Sequence, residues 1–231
     1  MSRYSSLRLA VSLAGAAFAS SAAANTVLPT GYDMRGGDSS TYRYYDETYT
    51  GGTGPQTYDG QMLSGGHGVL TDGIVADQNW FEAEAGDGYH PYVGWHSVDP
   101  TITFHFAGPV HIDGVTIYVD DSGGAGGVHP PSEAQIHMGS TFIDRPIPDP
   151  GSPKPFGYTF AGLNLHGSSL DLTLDRLPGG EPGLPNWVFL SEVQFSGTAS
   201  PVPVPQAVFG GAVLLAGMAV VRRLRRVRRV H

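Results

Sequence analysis

Apolar and polar residues alternate with period two along much of residues 60–197. Ile102, Phe104 and Phe106 alternate with Thr101, Thr103 and His105, and Val115, Ile117 and Val119 with Thr116 and Tyr118. Ala134, Ile136 and Met138 alternate with Gln135 and His137, and Leu170, Leu172 and Leu174 with Asp171 and Thr173. Phe189, Ser191, Val193 and Phe195 alternate with Leu190, Glu192 and Gln194. This period predicts antiparallel strands that bury one face. It sets Phe189 with Val193 and Phe195, and Glu192 with Leu190 on the opposite face. Turn-forming clusters separate the strands at Gly108-Pro109 and at residues 122–127, 146–155 and 178–185. No strand–helix–strand rhythm is present, which argues against nucleotide-binding α/β folds and α/β barrels. The expected class is all-β, an antiparallel β-sandwich or jelly roll.

Residues 26–58 are less regular. Tyr42, Tyr44, Tyr45, Tyr49 and Tyr58 stand among Thr, Gly and Asp. Tyr and Thr favour pleated, half-buried positions, so one edge strand is expected here.

Composition sharpens this picture. The 231 residues include 33 Gly, 18 Pro and no Cys, with 40 % hydrophobic and 15 % charged residues. The Gly and Pro content opposes long helices in the body. Absence of Cys excludes disulfides, thiolate metal sites and cysteine nucleophiles. The formal charge of −8 hides a strong asymmetry. Between residues 25 and 206 only Arg35, Arg43, Arg145, Lys154 and Arg176 oppose all 21 acidic residues, a formal −16. A body that acidic repels nucleic-acid phosphates and suits cation binding.

The termini carry the remaining basic residues. Arg3 and Arg8, the apolar run 9–18 and the small residues Ala22-Ala23-Ala24 read as a signal peptide over residues 1–24. At the other end Pro201-Val202-Pro203-Val204-Pro205 cannot be helical. Residues 207–221 are uncharged and mostly apolar, about 22 Å as a helix. Arg222, Arg223, Arg225, Arg226, Arg228 and Arg229 follow and act as a cytoplasmic stop. This order resembles the PEP-CTERM class of bacterial sorting signals, with Val202, Pro203, Val204 and Pro205 closest to its Val-Pro-Leu-Pro-Ala variant. Val204 in place of Leu and Gln206 in place of Ala are departures from it. The resemblance implies an exosortase-type membrane enzyme as partner, a transient inner-membrane anchor, and final placement on the surface or outside of a Gram-negative cell. The expected organisation is thus a signal peptide (1–24), a Tyr/Gly-rich segment (25–59), a sandwich (60–198), a Pro-rich linker (199–206), a transmembrane helix (207–221) and an Arg-rich tail (222–231).

A second resemblance covers residues 60–197. Leu70-Thr71-Asp72-Gly73 precedes a loop holding Trp80 and ending in Gly94-Trp95, then residues 102–106 and 112–117, and finally residues 187–195. The ordered set is similar to the discoidin, or coagulation-factor type C, family of galactose-binding-like jelly rolls. That family mostly binds sugars, lipids or proteins and is not itself catalytic. The resemblance implies a structural Ca²⁺ held by Asp72 and Glu192, with Asp77 and Asn79 from the same loop. Calcium takes six to eight oxygens, many of them carbonyls. The alternative is that Asp72 caps a tight turn with Gly73 and Glu192 meets solvent. Trp80 and Trp95 are expected to pack in or near the core. Tyr89, His90 and Tyr92, among Gly and Pro, are the expected exposed ligand-binding group.

Enzymatic signatures are weak. The His residues of the body form no His-x-x-x-His pair, and no Gly-x-Ser-x-Gly elbow occurs. Asp120-Asp121 reads as a solvated or cation-binding loop pair rather than a hydrolytic one. The expectation is an exported, non-catalytic module that binds carbohydrate, an exopolysaccharide. The alternatives are a structural surface or biofilm-matrix component with no specific ligand and, more remotely, a hydrolase.

Overall fold

The computed structural model describes residues 25–40, 42–52, 55–83, 91–177 and 186–199. The signal peptide, sorting motif, apolar helix and arginine tail therefore lie outside the described residues. Among the described residues, no helix is long and apolar enough to cross a membrane.

Among the described residues nine strands run in chain order: β1 (Asn25–Val27), β2 (Gly31–Arg35), β3 (Met62–Gly66), β4 (Val93–Trp95), β5 (Thr101–Val119), β6 (Glu133–Met138), β7 (Thr141–Pro146), β8 (Phe156–Asp175) and β9 (Val188–Ala199). One short helix, α1 (Trp80–Ala83), lies in the connection from β3 to β4. Every strand pair is antiparallel, as the alternation predicts.

Two long strands build both layers. The first part of β5, residues 101–105, pairs with β2 and with residues 169–173 of β8. Its second part, residues 110–119, pairs with residues 156–167 of β8 and with β9. One layer therefore runs β3-β2-β5-β8-β6-β7. The other runs β9-β5-β8, with β1 and β4 on the outer side of β9. Gly108-Pro109 falls where the register breaks between His105 and Val110. It is a corner inside one strand, not the turn between strands that its sequence suggests; strands switch layers at such bends.

The alternating residues meet between the layers. Ile102, Phe104, Ile112, Ile117, Ile136, Leu165, Leu170 and Leu172 are fully buried. Phe104 meets Phe195 across the core at 4.9 Å, and Phe106 meets it at 5.3 Å and 89°. Edge-to-face pairs of this kind add about 0.5–1.5 kcal/mol to area burial.

Within residues 26–58 the regular strands are the edge strand β1 and the interior strand β2, which lies between β3 and β5. The tyrosine-rich stretch that follows is not a strand. It crosses the sandwich and buries Tyr44, Tyr45 and Tyr49. Asp46, fully buried, anchors it by accepting from the Val69 amide (3.0 Å) and the Tyr32 hydroxyl.

A second correction concerns β9. Val119 pairs with Leu190, but Tyr118 pairs with Glu192, so Ser191 is an extra residue. This bulge reverses the parity. Leu190, Val193 and Phe195 face the main core, while Phe189 turns into a separate cluster with Tyr44, Tyr92, Val128 and Trp187. Phe189 is thus on the face opposite to that predicted from period two.

Candidate functional site

The second cluster forms the floor of the sandwich end where β5 stops and β9 begins. Phe189 lies 4.3 Å from Tyr44 and 5.9 Å from Tyr92, centroid to centroid. Trp80 stands on this floor, 6.3 Å from Tyr44 and 6.4 Å from Phe189. Its indole N–H donates to the Ala125 carbonyl at 3.2 Å. Gly126 has φ +65°, and a Cβ there would lie 2.6 Å from Trp80 Cζ2. Glycine at 126 is therefore needed twice, for the backbone turn and for the close approach of the indole. Trp80 is half-buried, not a core residue, and its neighbours face solvent: Tyr42 is 46 % exposed and Phe81 43 %. Tyr42 lies 6.1 Å from Trp80, and Phe81 5.7 Å at 89°. Three rings thus meet solvent at one corner over a rigid aromatic base.

Asp120 holds this corner from beneath. It directly follows β5 and is fully buried. Its Oδ2 accepts from the Trp80 amide at 3.0 Å and from the Ser122 hydroxyl at 2.8 Å. Its Oδ1 has no hydrogen-bond partner among the described residues. Burial pushes the Asp120 carboxyl up to about 6, with Asp121 and Glu82 adding to it and the two hydrogen bonds opposing. Asp121 is buried as well, so the pair is not the solvated one that its loop position suggested. Asn79, also buried, donates from Nδ2 to the Pro153 carbonyl at 3.1 Å and leaves Oδ1 without a partner among the described residues. Its own carbonyl accepts from the Glu82 and Ala83 amides and starts α1.

The four residues expected to share one calcium are divided. Asp72 and Glu192 come together at Gly73. Glu192, 4 % exposed, accepts the Gly73 amide at 3.2 Å. Asp72 accepts the Ile74 amide at 2.8 Å and caps the turn in which Gly73 has φ +82°. Burial and then Asp72 push the Glu192 carboxyl up to about 7 against the Gly73 hydrogen bond. Glu192 therefore does not point to solvent; it lies on the face of β9 opposite Val193 and is covered there by the Asp72-Gly73 turn. Asp77 is exposed, and Asn79 is engaged with Pro153 and Trp80's neighbourhood instead. Among the described residues, no group of three or more His, Asp or Glu is placed to hold a metal.

Of the expected ligand group, only the exposure of Tyr92 is corrected. Tyr89 and His90 lie outside the described residues. Tyr92 is 2 % exposed, and its hydroxyl donates to the Gln78 carbonyl at 2.6 Å. Its ring belongs to the aromatic floor because Val93 immediately after it enters β4 beside β9. Trp95 is fully buried, as expected, with its indole N–H on the Arg35 carbonyl at 2.8 Å. Tyr42, in the tyrosine-rich stretch, and Phe81, beside Trp80, are not among the expected ligand residues, because nothing local distinguishes them from strand or core aromatics.

Carboxylates also pair with histidines through long-range contacts invisible to spacing. His105 meets Asp33 at 2.9 Å, and His137 meets Asp171 at 3.3 Å. Asp38 is the most engaged. Its Oδ2 accepts from the His96 amide and Nδ1 (3.0 Å each), the Ser97 amide (2.9 Å) and the Ser97 hydroxyl (2.6 Å). The His96 ring stacks on Trp187 at 4.3 Å and 11°. Ser97 donates to the carboxylate and not to the imidazole, so these residues do not form a nucleophile–base relay.

No protein-family model matches the chain, and no curated protein matches it. Among solved structures the chain is similar to the fucolectin of striped bass (Morone saxatilis) serum, with 16 % identity and TM-score 0.35 over 56 % of this chain and 40 % of that one. It therefore spans two fifths of that lectin. It is similar to a family 32 carbohydrate-binding module from Clostridium perfringens, solved with GalNAc-β-1,3-galactose, at 17 % identity and TM-score 0.36, covering 64 % of this chain and 91 % of that one. A pectin-binding carbohydrate-binding module aligns at 10 % identity and TM-score 0.33 over 49 % and 75 % of the two chains.

Proposed function

We propose that this chain is an exported, non-catalytic envelope protein whose sandwich binds carbohydrate at the Tyr42–Trp80–Phe81 corner. The observation that carries the reading is the set of solvent-facing rings on a rigid buried base. Sugar C–H surfaces stack on such rings, and flanking polar groups bond hydroxyls. The base matters because a ring held in place loses little freedom when a ligand arrives. Two carboxyls pushed strongly up by burial, Asp120 and Glu192, are 0 % and 4 % exposed. Neither opens to a substrate, which favours binding over hydrolysis. Export and release follow from the signal peptide, the Val202-Pro203-Val204-Pro205 motif, the apolar run and the arginines. An exosortase-type enzyme is the processing partner, and an extracellular polysaccharide is the ligand.

The test is a double variant, Tyr42→Ala with Phe81→Ala, compared with the wild type in polysaccharide pull-down and glycan-array binding. Both side chains are exposed, so the melting temperature should move little, and binding should fall at least tenfold. A variant that binds as well as wild type removes this site.

A further inference from the structure

We infer that the free edge of β7 takes up the Pro-rich linker of a second copy of this chain, so that copies join head to tail. β7 ends the strand order, and among the described residues it pairs with β6 alone. The phase of that pairing is fixed. The Ile147 amide donates to the Ser132 carbonyl at 3.0 Å, and the same register runs on through Ala134–Arg145 and Ile136–Ile143 to Met138–Thr141. Hydrogen-bonded pairs alternate with open pairs along an antiparallel ladder. Thr141, Ile143 and Arg145 therefore turn their N–H and C=O groups to β6, and Phe142, Asp144 and Pro146 turn theirs outward. Since Pro146 has no N–H, the edge offers two amides and three carbonyls. The Asp144 carbonyl also takes the guanidinium of the adjacent Arg145 at 3.2 Å. Phe142, 60 % exposed, stands at this edge.

The linker carries the complementary pattern. In Pro201-Val202-Pro203-Val204-Pro205-Gln206 every second residue lacks an N–H. An extended segment of this kind has donors along one side only. Laid antiparallel to β7 with Val204 opposite Asp144, it gives the N–H groups of Val202, Val204 and Gln206 to the carbonyls of Pro146, Asp144 and Phe142. The Val204 and Gln206 carbonyls accept the two outward amides. The prolines fall at open positions, where no donor is needed, and the donorless far side stops the sheet there. Chain length excludes a copy's own linker. Ala199 lies opposite Val110, which pairs with Gly167, whereas Pro146 lies opposite Glu133, which pairs with Asp175. Gly167 and Asp175 are about 25 Å apart along β8, and three residues from Ala199 to Val202 span at most about 10 Å. Charge excludes β7-to-β7 pairing. It would join faces that each carry Glu133, Asp144 and Asp175, while residues 199–206 are uncharged. One linker and one edge per copy make a heterologous contact, which continues into rings or filaments. The contact is independent of whether the ring corner takes a sugar.

The experiment uses the purified full-length chain in detergent and a fluorescent synthetic peptide of residues 200–206. Anisotropy should show saturable binding of the peptide. The peptide with Val202→Pro and Val204→Pro loses two of its three donors, and its Kd should rise at least tenfold. On the chain, Asp144→Pro removes an outward amide that β6 does not use, a position where an edge strand tolerates proline. Peptide affinity should again fall at least tenfold, with Tm nearly unchanged. The peptide variant lies outside the fold and carries the test if Asp144→Pro does not fold. In sedimentation the mass of the wild-type chain should rise with concentration. The Asp144→Pro chain and the Val202→Pro, Val204→Pro chain should each stay monomeric alone and pair one to one when mixed. A peptide that does not bind, or that binds equally well in its double-proline form, would overturn the inference. So would self-association that survives in the Val202→Pro, Val204→Pro chain, which would mark β7-to-β7 or apolar-run contacts instead, or two variants that fail to pair.

Discussion

Replacing Asp38 should unlock the turn between β4 and β5. The side chain is 1 % exposed, and one of its oxygens receives four hydrogen bonds from His96 and Ser97. Burial alone would raise its carboxyl; the bonds from Ser97 and His96 outweigh burial and hold it below the ordinary 3.8. Asp38→Ala leaves two backbone amides and a hydroxyl without their acceptor. An unmade buried bond costs about 1–3 kcal/mol, and water can reach the His96 side, which is 27 % exposed. The expected loss is about 3–5 kcal/mol, the range for removing one partner of a buried charged network. Asp38→Asn keeps an oxygen acceptor and loses only charge assistance, about 1–3 kcal/mol. The pH sign follows from the lowered carboxyl. The native state binds fewer protons than the unfolded chain near pH 4, so this stability is complete above the unfolded value and is lost as pH falls through the folded one. The gap between wild type and Asp38→Asn should therefore be full at pH 7 and close as pH drops below about 4. Urea unfolding at pH 7 and at several acid values measures it. An Asp38→Asn protein as stable as wild type at pH 7, or a gap that widens on acidification, would refute the reasoning.

Glu192→Gln should act in the opposite sense. A carboxyl raised from 4.5 to about 7 withdraws stability as pH rises through that window, about 3 kcal/mol in all. The amide should therefore match wild type near pH 4.5 and exceed it above pH 7 in melting curves. For the tail, intact mass of the surface-located protein from its native host should show loss of residues beyond the Pro-rich motif; persistence of residues 207–231 would replace sorting by a plain anchor.

The strands that could be read in the sequence are those with one buried face and no interruption: residues 101–106, 115–119, 134–138 and 170–174. Others were hidden for physical reasons. β7 faces solvent along most of its length, so its sequence carries no alternation. The first part of β8 contains Gly157, Gly162, Asn164 and Gly167, with Gly162 and Asn164 at positive φ, and therefore reads as loop. The parity of β9 failed at one residue, because a bulge at Ser191 has no local signature. Of the site, the Asp72–Glu192 approach followed from the family resemblance. The exposed ring corner did not, because Tyr42 reaches the adjacent pair Trp80-Phe81 across a 38-residue separation. Asp120 looked solvated because adjacent acids in a Gly-rich stretch ordinarily are; only the docking of Asn79 and Trp80 over it shows otherwise.

The bulged strand β9 also fixes how the molecule bears load. Its first residues underlie the ring corner through Phe189, and its last residue, Ala199, leads toward the Pro-rich linker. Twelve extended residues, roughly 35–40 Å, separate the two. On the proposed reading, tension between a glycan at the corner and a tether at Ala199 would run along the strand axis. β9 is gripped by β5 on one side and by β1 and β4 on the other. Such a pull shears these ladders together instead of unzipping them one bond at a time, so the module would resist detachment by flow far better than its hydrogen bonds would singly.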